Sequence, residues 1–126
     1  MIPRYRAWDK IHKIMYEVDD ILSIDFGKSE ISVKTLFFER TNYYKFDDLV
    51  LMQSTGLRDK NGKEIFEGDI LDSEDGFIAG VVEARQDLGM FVSTLIKYNN
   101  FERLCNVASS RKIIGNIWED GELLER

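Results

Sequence analysis

Nucleophilic catalysis needs a nucleophile within reach of a base, usually oriented by a third group. The chain holds one cysteine, Cys105, and one histidine, His12. They lie far apart in the sequence, and no recognisable motif flanks either. A lone histidine has no second imidazole with which to share a metal, so His12 reads as an exposed residue of the turn 10–13. The carboxylates Glu67, Asp69 and Asp72 are close enough in sequence to hold a divalent ion or to run acid/base chemistry, with Glu67 and Asp69 on one strand face. With 32% of the residues charged, such groupings arise by chance, and solvent exposure is the expectation for this one. Asp59, Asn61 and Gly62 echo a calcium-binding loop, but the closing acidic residue and the flanking helices are missing. Gly56 and Gly62 lack the Lys-Ser/Thr pair and helix that would cradle a phosphate. These readings point to a non-enzymatic protein with no metal and no cofactor.

Cations next to aromatics offer a different chemistry, stacking combined with phosphate neutralisation. Residues 4–13 carry Arg4, Arg6, Lys10 and Lys13 against Asp9 alone, a local balance of +3. Strand alternation places Arg4, Arg6 and Trp8 on one face and Tyr5 and Ala7 on the other. The expectation is a solvated face with Trp8 covering a core edge. Arg58, Lys60 and Lys63 add a second basic group, so the candidate binding surface is Arg4, Arg6, Trp8, Arg58, Lys60 and Lys63. At the other end, residues 119–126 carry four carboxylates against Arg126, a balance of −3. Leu36, Phe37 and Phe38 form an apolar run that must be buried in this chain or in a partner, and Tyr43 and Tyr44 are edge aromatics.

The elements that must position these residues are organised around 51–71, LMQSTGLRDKNGKEIFEGDIL. Residues 49–54 read as a strand buried on both faces for most of its length. Gly56 follows Thr55 where a turn or bulge needs a positive φ. Asn61-Gly62 is a hairpin signal of the type I′ kind, in which both residues take left-handed conformations. Gly68-Asp69 then punctuates the entry into Ile70 and Leu71, in the manner of small SH3-like barrels. Gly56, Asn61, Gly62, Gly68 and Asp69 are thus the structural motif.

On either side of this stretch the chain reads as short strands. Residues 2–8, 14–18, 21–26 and 30–35 precede it, with turns at Asp19-Asp20 and Gly27-Lys28-Ser29. Alternation of Glu30, Ser32 and Lys34 with Ile31 and Val33 predicts a half-exposed strand. Beyond it come a turn at Glu74-Asp75-Gly76, a strand over 77–84 with a bulge or bend at Gly80, a turn at 87–89 and a strand over 90–96. A short helix is expected around 101–104, a last strand over 113–118, and one helical turn at the C-terminus docking two leucines. The fold class is mainly β: an N-terminal antiparallel meander packed on a C-terminal SH3-like barrel. It is one domain over 1–126, with lobes expected at 1–52 and 53–126.

The chain resembles the YopX family of small phage and prophage proteins. The residues that carry the resemblance are RAWD at 6–9, YKFDDLVLMQSTGLRDKNGKEIFEGDIL at 44–71, Gly80-Val81-Val82, and IIGNIWED at 113–120. They span nearly the whole chain. Where the family usually reads a proline before its final Glu-Leu-Leu, Asp120-Gly121 stands here. The resemblance implies a phage or prophage setting and brings no catalytic residue onto this chain.

At 126 residues and 44% hydrophobic, the chain is long enough to bury about two-thirds of its unfolded surface. A single cysteine makes no internal disulfide, which fits a reducing compartment, here the cytoplasm of a bacterial host. The apolar runs are short, so neither a signal peptide nor a membrane span is expected. A net charge of −6 argues against a surface coated by nucleic acid. The expected function is a protein-interaction module acting on a host or phage protein or on a second copy of the chain. The alternative is nucleic-acid binding through the SH3-like face and the basic N-terminal strand.

Overall fold

The computed structural model describes residues 4–34, 40–72 and 79–125. It is mainly β, with 56% strand against 15% helix, and its strand pairs are antiparallel. The chain divides into two compact units, Met1–Gln53 and Ser54–Arg126. The expected turn at 74–76 and the apolar pair Phe37 and Phe38 lie outside the described residues.

In the first unit, strand β1 (Tyr5–Asp9) lies between β2 (Ile14–Tyr16) and the first half of β6 (Leu49–Arg58), so Ala7 faces Tyr16 on one side and Leu51 on the other. A strand flanked on both sides has no open edge, and residues 6 to 9 of β1 are all buried. Arg6 and Trp8 are only 6% and 5% exposed, so the solvated cationic face expected from alternation is not there. A second sheet runs β3 (Ile21–Asp25), β4 (Glu30–Lys34), β5 (Thr41–Lys45), with β4 in the centre. Ile31 and Val33 on β4 join Ala7, Tyr16 and Leu49 in the core, and Ile24 and Tyr44 pack against them. The Tyr16 and Tyr44 hydroxyls share a hydrogen bond of 3.3 Å. Burial, together with that bond, raises the Tyr16 phenol above its ordinary range. Ser32, expected to be exposed, is buried, because its hydroxyl meets that of Ser23 on the neighbouring strand. The strand expected over 14–18 stops at Tyr16. A 3-10 turn (Val18–Asp20) follows, held by the Glu17 N–H donating to Asp20.

The second unit starts within β6, whose later residues pair with β7 (Glu64–Phe66). Ser54 faces Phe66 and Arg58 faces Glu64, so β6 accommodates extra residues in a bulge that contains Gly56 at φ 77°. Five strands follow as a sheet: β8 (Asp69–Asp72), β9 (Ala79–Arg85), β10 (Met90–Leu95), β11 (Asn100–Arg103) and β12 (Lys112–Asn116). Four of them form a meander, and β12 returns from the chain's end to pair with β8. Among the described residues the pairing runs from β11 to β12, and the antiparallel sheets include a curled half-barrel. Register runs without a shift through Gly80, in place of the bulge expected there.

Phe101 was expected near a short helix, but it lies on β11 opposite Thr94. The helix α1 (Leu104–Val107) begins only after that strand ends. Leu104 and, one turn on, Ala108 are thereby aimed into the core with Ile65, Leu71 and Val82. Arg111 then donates twice to Glu102, tying the approach of β12 to β11.

Two glycines of the central stretch are required by backbone geometry. Gly62 has φ +82° with nothing within 4 Å of an added Cβ, so any cost of substitution there is strain alone. Gly68 has φ 86° while its N–H donates to Val82 and its carbonyl accepts from Ile117. Gly62→Val and Gly68→Val should each destabilise the protein by about 1–3 kcal/mol. Arg58→Ala, an exposed change, should cost less than about 0.5 kcal/mol. Denaturant melts of the three variants check this ordering, and a larger loss at Arg58 would overturn it.

Candidate interaction surface

The sequence DK-x-x-K occurs twice, at 9–13 and at 59–63, once in each unit. Both copies fold as hairpin loops around a buried aspartate. Asp9 ends β1 with its side chain 1% exposed; its Oδ1 accepts the Ile11 and His12 N–H groups, both at 3.0 Å. His12 Nδ1 donates to Asp9 Oδ2 at 2.8 Å, so the ring, although exposed, is tied to the turn's own anchor. Lys13 N–H closes the loop onto the Asp9 carbonyl. Asp59 works alike: Oδ1 accepts from Asn61 and Lys63, and Oδ2 accepts the Ile113 N–H of β12 at 3.0 Å. A buried carboxylate is expensive unless its oxygens are filled. Here turn amides without ladder partners fill Oδ1 of each aspartate, while the His12 ring and the Ile113 N–H of β12 fill the two Oδ2 atoms.

The two loops differ by where the left-handed residue falls. In the second, Gly62 N–H donates to the Asp59 carbonyl, and only Gly62 has positive φ, leaving a three-residue loop. The type I′ geometry expected of Asn61-Gly62 is therefore replaced, because the Asp59 carboxylate captures the Asn61 amide. In the first loop the left-handed position is one residue later, at Lys13, with φ 58°. A lysine there pays a steric cost that glycine would avoid.

Burial alone would raise both carboxyls. Hydrogen bonds from His12 and Ile11 outweigh it at Asp9, and those from Ile113, Lys63 and Asn61 outweigh it at Asp59, so both are held below the ordinary carboxylate value.

Other carboxylates repeat the pattern on a smaller scale. Asp25 accepts from Lys28 N–H and Asp48 from Lys45 N–H. Asp69, expected on an exposed strand face with Glu67, is instead 2% exposed and accepts the Phe66 N–H. Asn116 does the same with its amide oxygen, accepting from Trp118 and Glu119. The signal that could have revealed the roles of Asp9 and Asp59 was the repeated DK-x-x-K spacing itself. Among the described residues no group of three or more His, Cys, Asp or Glu side chains stands close enough to hold a metal ion. Cys105 is exposed beside Asn106, while His12 is engaged with Asp9 in the other unit.

What the loops display is cationic and apolar. Lys10, Lys13, Lys60 and Lys63 are all exposed. Ile11, at the first tip, is 74% exposed, the highest value among the large apolar side chains of the described residues. Phe26 beside the β3–β4 turn, Leu88 in the β9–β10 turn, and Ile96 and Tyr98 between β10 and β11 are also exposed. Tyr43 is exposed on the edge strand β5, whereas Tyr44 faces the core. Of the sequence-predicted surface, Arg4, Lys60 and Lys63 are exposed; Arg58 is exposed and donates to the Gly62 carbonyl; Arg6 and Trp8 are buried.

The model of the YopX protein family matches residues 4–125. The chain belongs to the YopX family. This YopX-family chain shares 31% identity with protein EF1440 from Enterococcus faecalis, over 98% of its own length and 99% of the other's, with a TM-score of 0.67. The crystal structure of yopX from Bacillus subtilis superposes with a TM-score of 0.61 over 95% and 96% of the two chains; at 22% identity it shares the fold. No curated protein matches the chain. No helix among its described residues is long and apolar enough to cross a membrane.

Asp59 and Asp9 make acid stability a direct readout. Their folded-state values lie below the unfolded carboxylate value of about 3.9, so their stabilisation is complete at neutral pH. It should begin to fade as pH falls into the unfolded carboxylate range and be gone once the lower folded values are passed. Asp59→Asn should cost about 2–4 kcal/mol, since its amide nitrogen would face the Ile113 N–H, and should flatten the melting curve's dependence on acid pH. Melts between neutral and strongly acid pH check both. Lys13→Gly should act oppositely, stabilising by about 0.5–1 kcal/mol through relief of the left-handed strain. A lower melting temperature for that variant would refute the strain assignment.

Proposed function

We propose that the protein is a non-enzymatic accessory protein of a temperate phage or prophage. In this reading it is a protein-interaction module in the cytoplasm of the bacterial host, binding a host or phage protein or another copy of itself. The observation that carries the reading is Ile11, an open apolar side chain on a hairpin tip whose backbone is fixed by the buried Asp9 carboxylate. An anchor held in place before binding loses little conformational freedom on docking, which is what a recognition surface requires. Membership of the YopX family supports the biological setting.

Nucleic-acid binding is the competing reading, favoured by the four exposed DK-x-x-K lysines. It is weakened by the net charge of −6 and by the burial of Arg6 and Trp8, which removes the aromatic and cationic strand face from contact.

Affinity capture from phage-infected cells, with wild type beside Ile11→Asp, tests the choice together with a duplex and single-stranded DNA titration at rising salt. The interaction-module reading expects a partner retained by wild type and lost by Ile11→Asp, with DNA affinity that is weak and fades steeply with salt. Tight DNA binding that persists near physiological salt, unaffected by Ile11→Asp, would replace it with the nucleic-acid reading.

A further inference from the structure

The charge of the chain is divided unequally between its units. Residues 1–53 hold eight Lys and Arg against nine Asp and Glu, net −1, whereas residues 54–126 hold nine against fourteen, net −5. Within the first unit, the tip at 10–14 is a cationic feature that also exposes apolar surface: Lys10 and Lys13 flank Ile11 and His12, with Ile14 38% exposed behind them. The one carboxylate of that segment, Asp9, is withdrawn into its own turn. In the second unit, residues 118–122 form a turn with three carboxylates and no cation, held by the Asn116 amide oxygen. Glu119 and Glu122 there are exposed, and Trp118 offers 37% of its surface.

We infer that the basic, apolar tip around Ile11 of one copy docks on the acidic 118–122 turn of a second copy. This rests on the reading of the tip as an interaction surface and names its partner. Both surfaces are fixed by Asx-type bonds to their own backbone, so neither has to be ordered at the moment of contact. Opposite charge steers the approach, and the apolar contact of Ile11 with Trp118 supplies the part that salt does not screen. Phosphate would satisfy Lys10 and Lys13 but leave Ile11 in water. The contact is head to tail, so it grows with concentration instead of closing as a two-fold dimer.

Sedimentation of the full chain across a concentration series, at low and high salt, reads this directly. Wild type should associate with rising concentration and dissociate as salt is added. K10E/K13E and E119K/E122K should each raise the self-dissociation constant roughly tenfold or more. An equimolar mixture of the two reversed chains should associate again, because each supplies the complement the other lacks. Ile11→Ser, exposed and outside the core, should weaken association without lowering the melting temperature. A chain that stays monomeric at every concentration overturns the second-copy assignment while leaving capture of a different protein through Ile11 intact. Association that survives both reversals, or a mixture that fails to recover it, overturns the assignment as well.

Discussion

The carboxylate of Asp59 is the interaction on which the centre of the chain depends. One oxygen gathers the Asn61 and Lys63 amides and so sets a three-residue loop; the other accepts the Ile113 amide of β12. Lys60 N–H adds a bond to the Arg111 carbonyl beside it. The loop between β6 and β7 is therefore fastened to the strand that completes the five-stranded sheet. A neutral side chain of the same shape could serve the loop or the strand, but its donor would oppose one of the three amides.

The same device explains why an acidic chain need not be an acidic catalyst. Asp9, Asp25, Asp48, Asp59 and Asp69 each accept backbone N–H groups at turns. Turn amides lack ladder partners, and a short carboxylate side chain reaches them at almost no cost in side-chain order. What remains exposed at these turns is dominated by lysine and by single large apolar residues.

Much of the fold could be read from the sequence. The alternation of apolar residues marks β4, the continuous run at 49–54 marks β6, and Gly62 and Gly68 sit at positive φ where turn chemistry asks for them. What escaped detection was tertiary. Arg6 and Trp8 alternate as a surface face would, yet β1 is a central strand and is covered on both sides. Asn61-Gly62 has the sequence of a type I′ turn, but the competing acceptor at Asp59 decides the geometry. Phe101 reads from sequence as part of the helix that follows it, yet it lies on β11 opposite Thr94, after Asn99 takes the left-handed region, a choice local propensity does not announce. The turn at 10–13 reads from sequence as an exposed connection, and what the sequence does not show is that the Asp9 carboxylate fixes the backbone beneath Ile11.

The return of β12 to β8 bears on how the second unit comes into being during synthesis. Asp59 and Ile113 are 54 residues apart, and β8 has β12 as one of its two neighbours. Each strand of the meander β8 to β11 leaves the ribosome ahead of β12. Until β12 leaves the ribosome, one edge of β8 and one oxygen of Asp59 are without their final partners, and water must occupy both. The hairpin around Asp59 is thus built early from local contacts and locked late from a distant one. The finished unit is set by β12, which follows every other strand of its sheet in the chain.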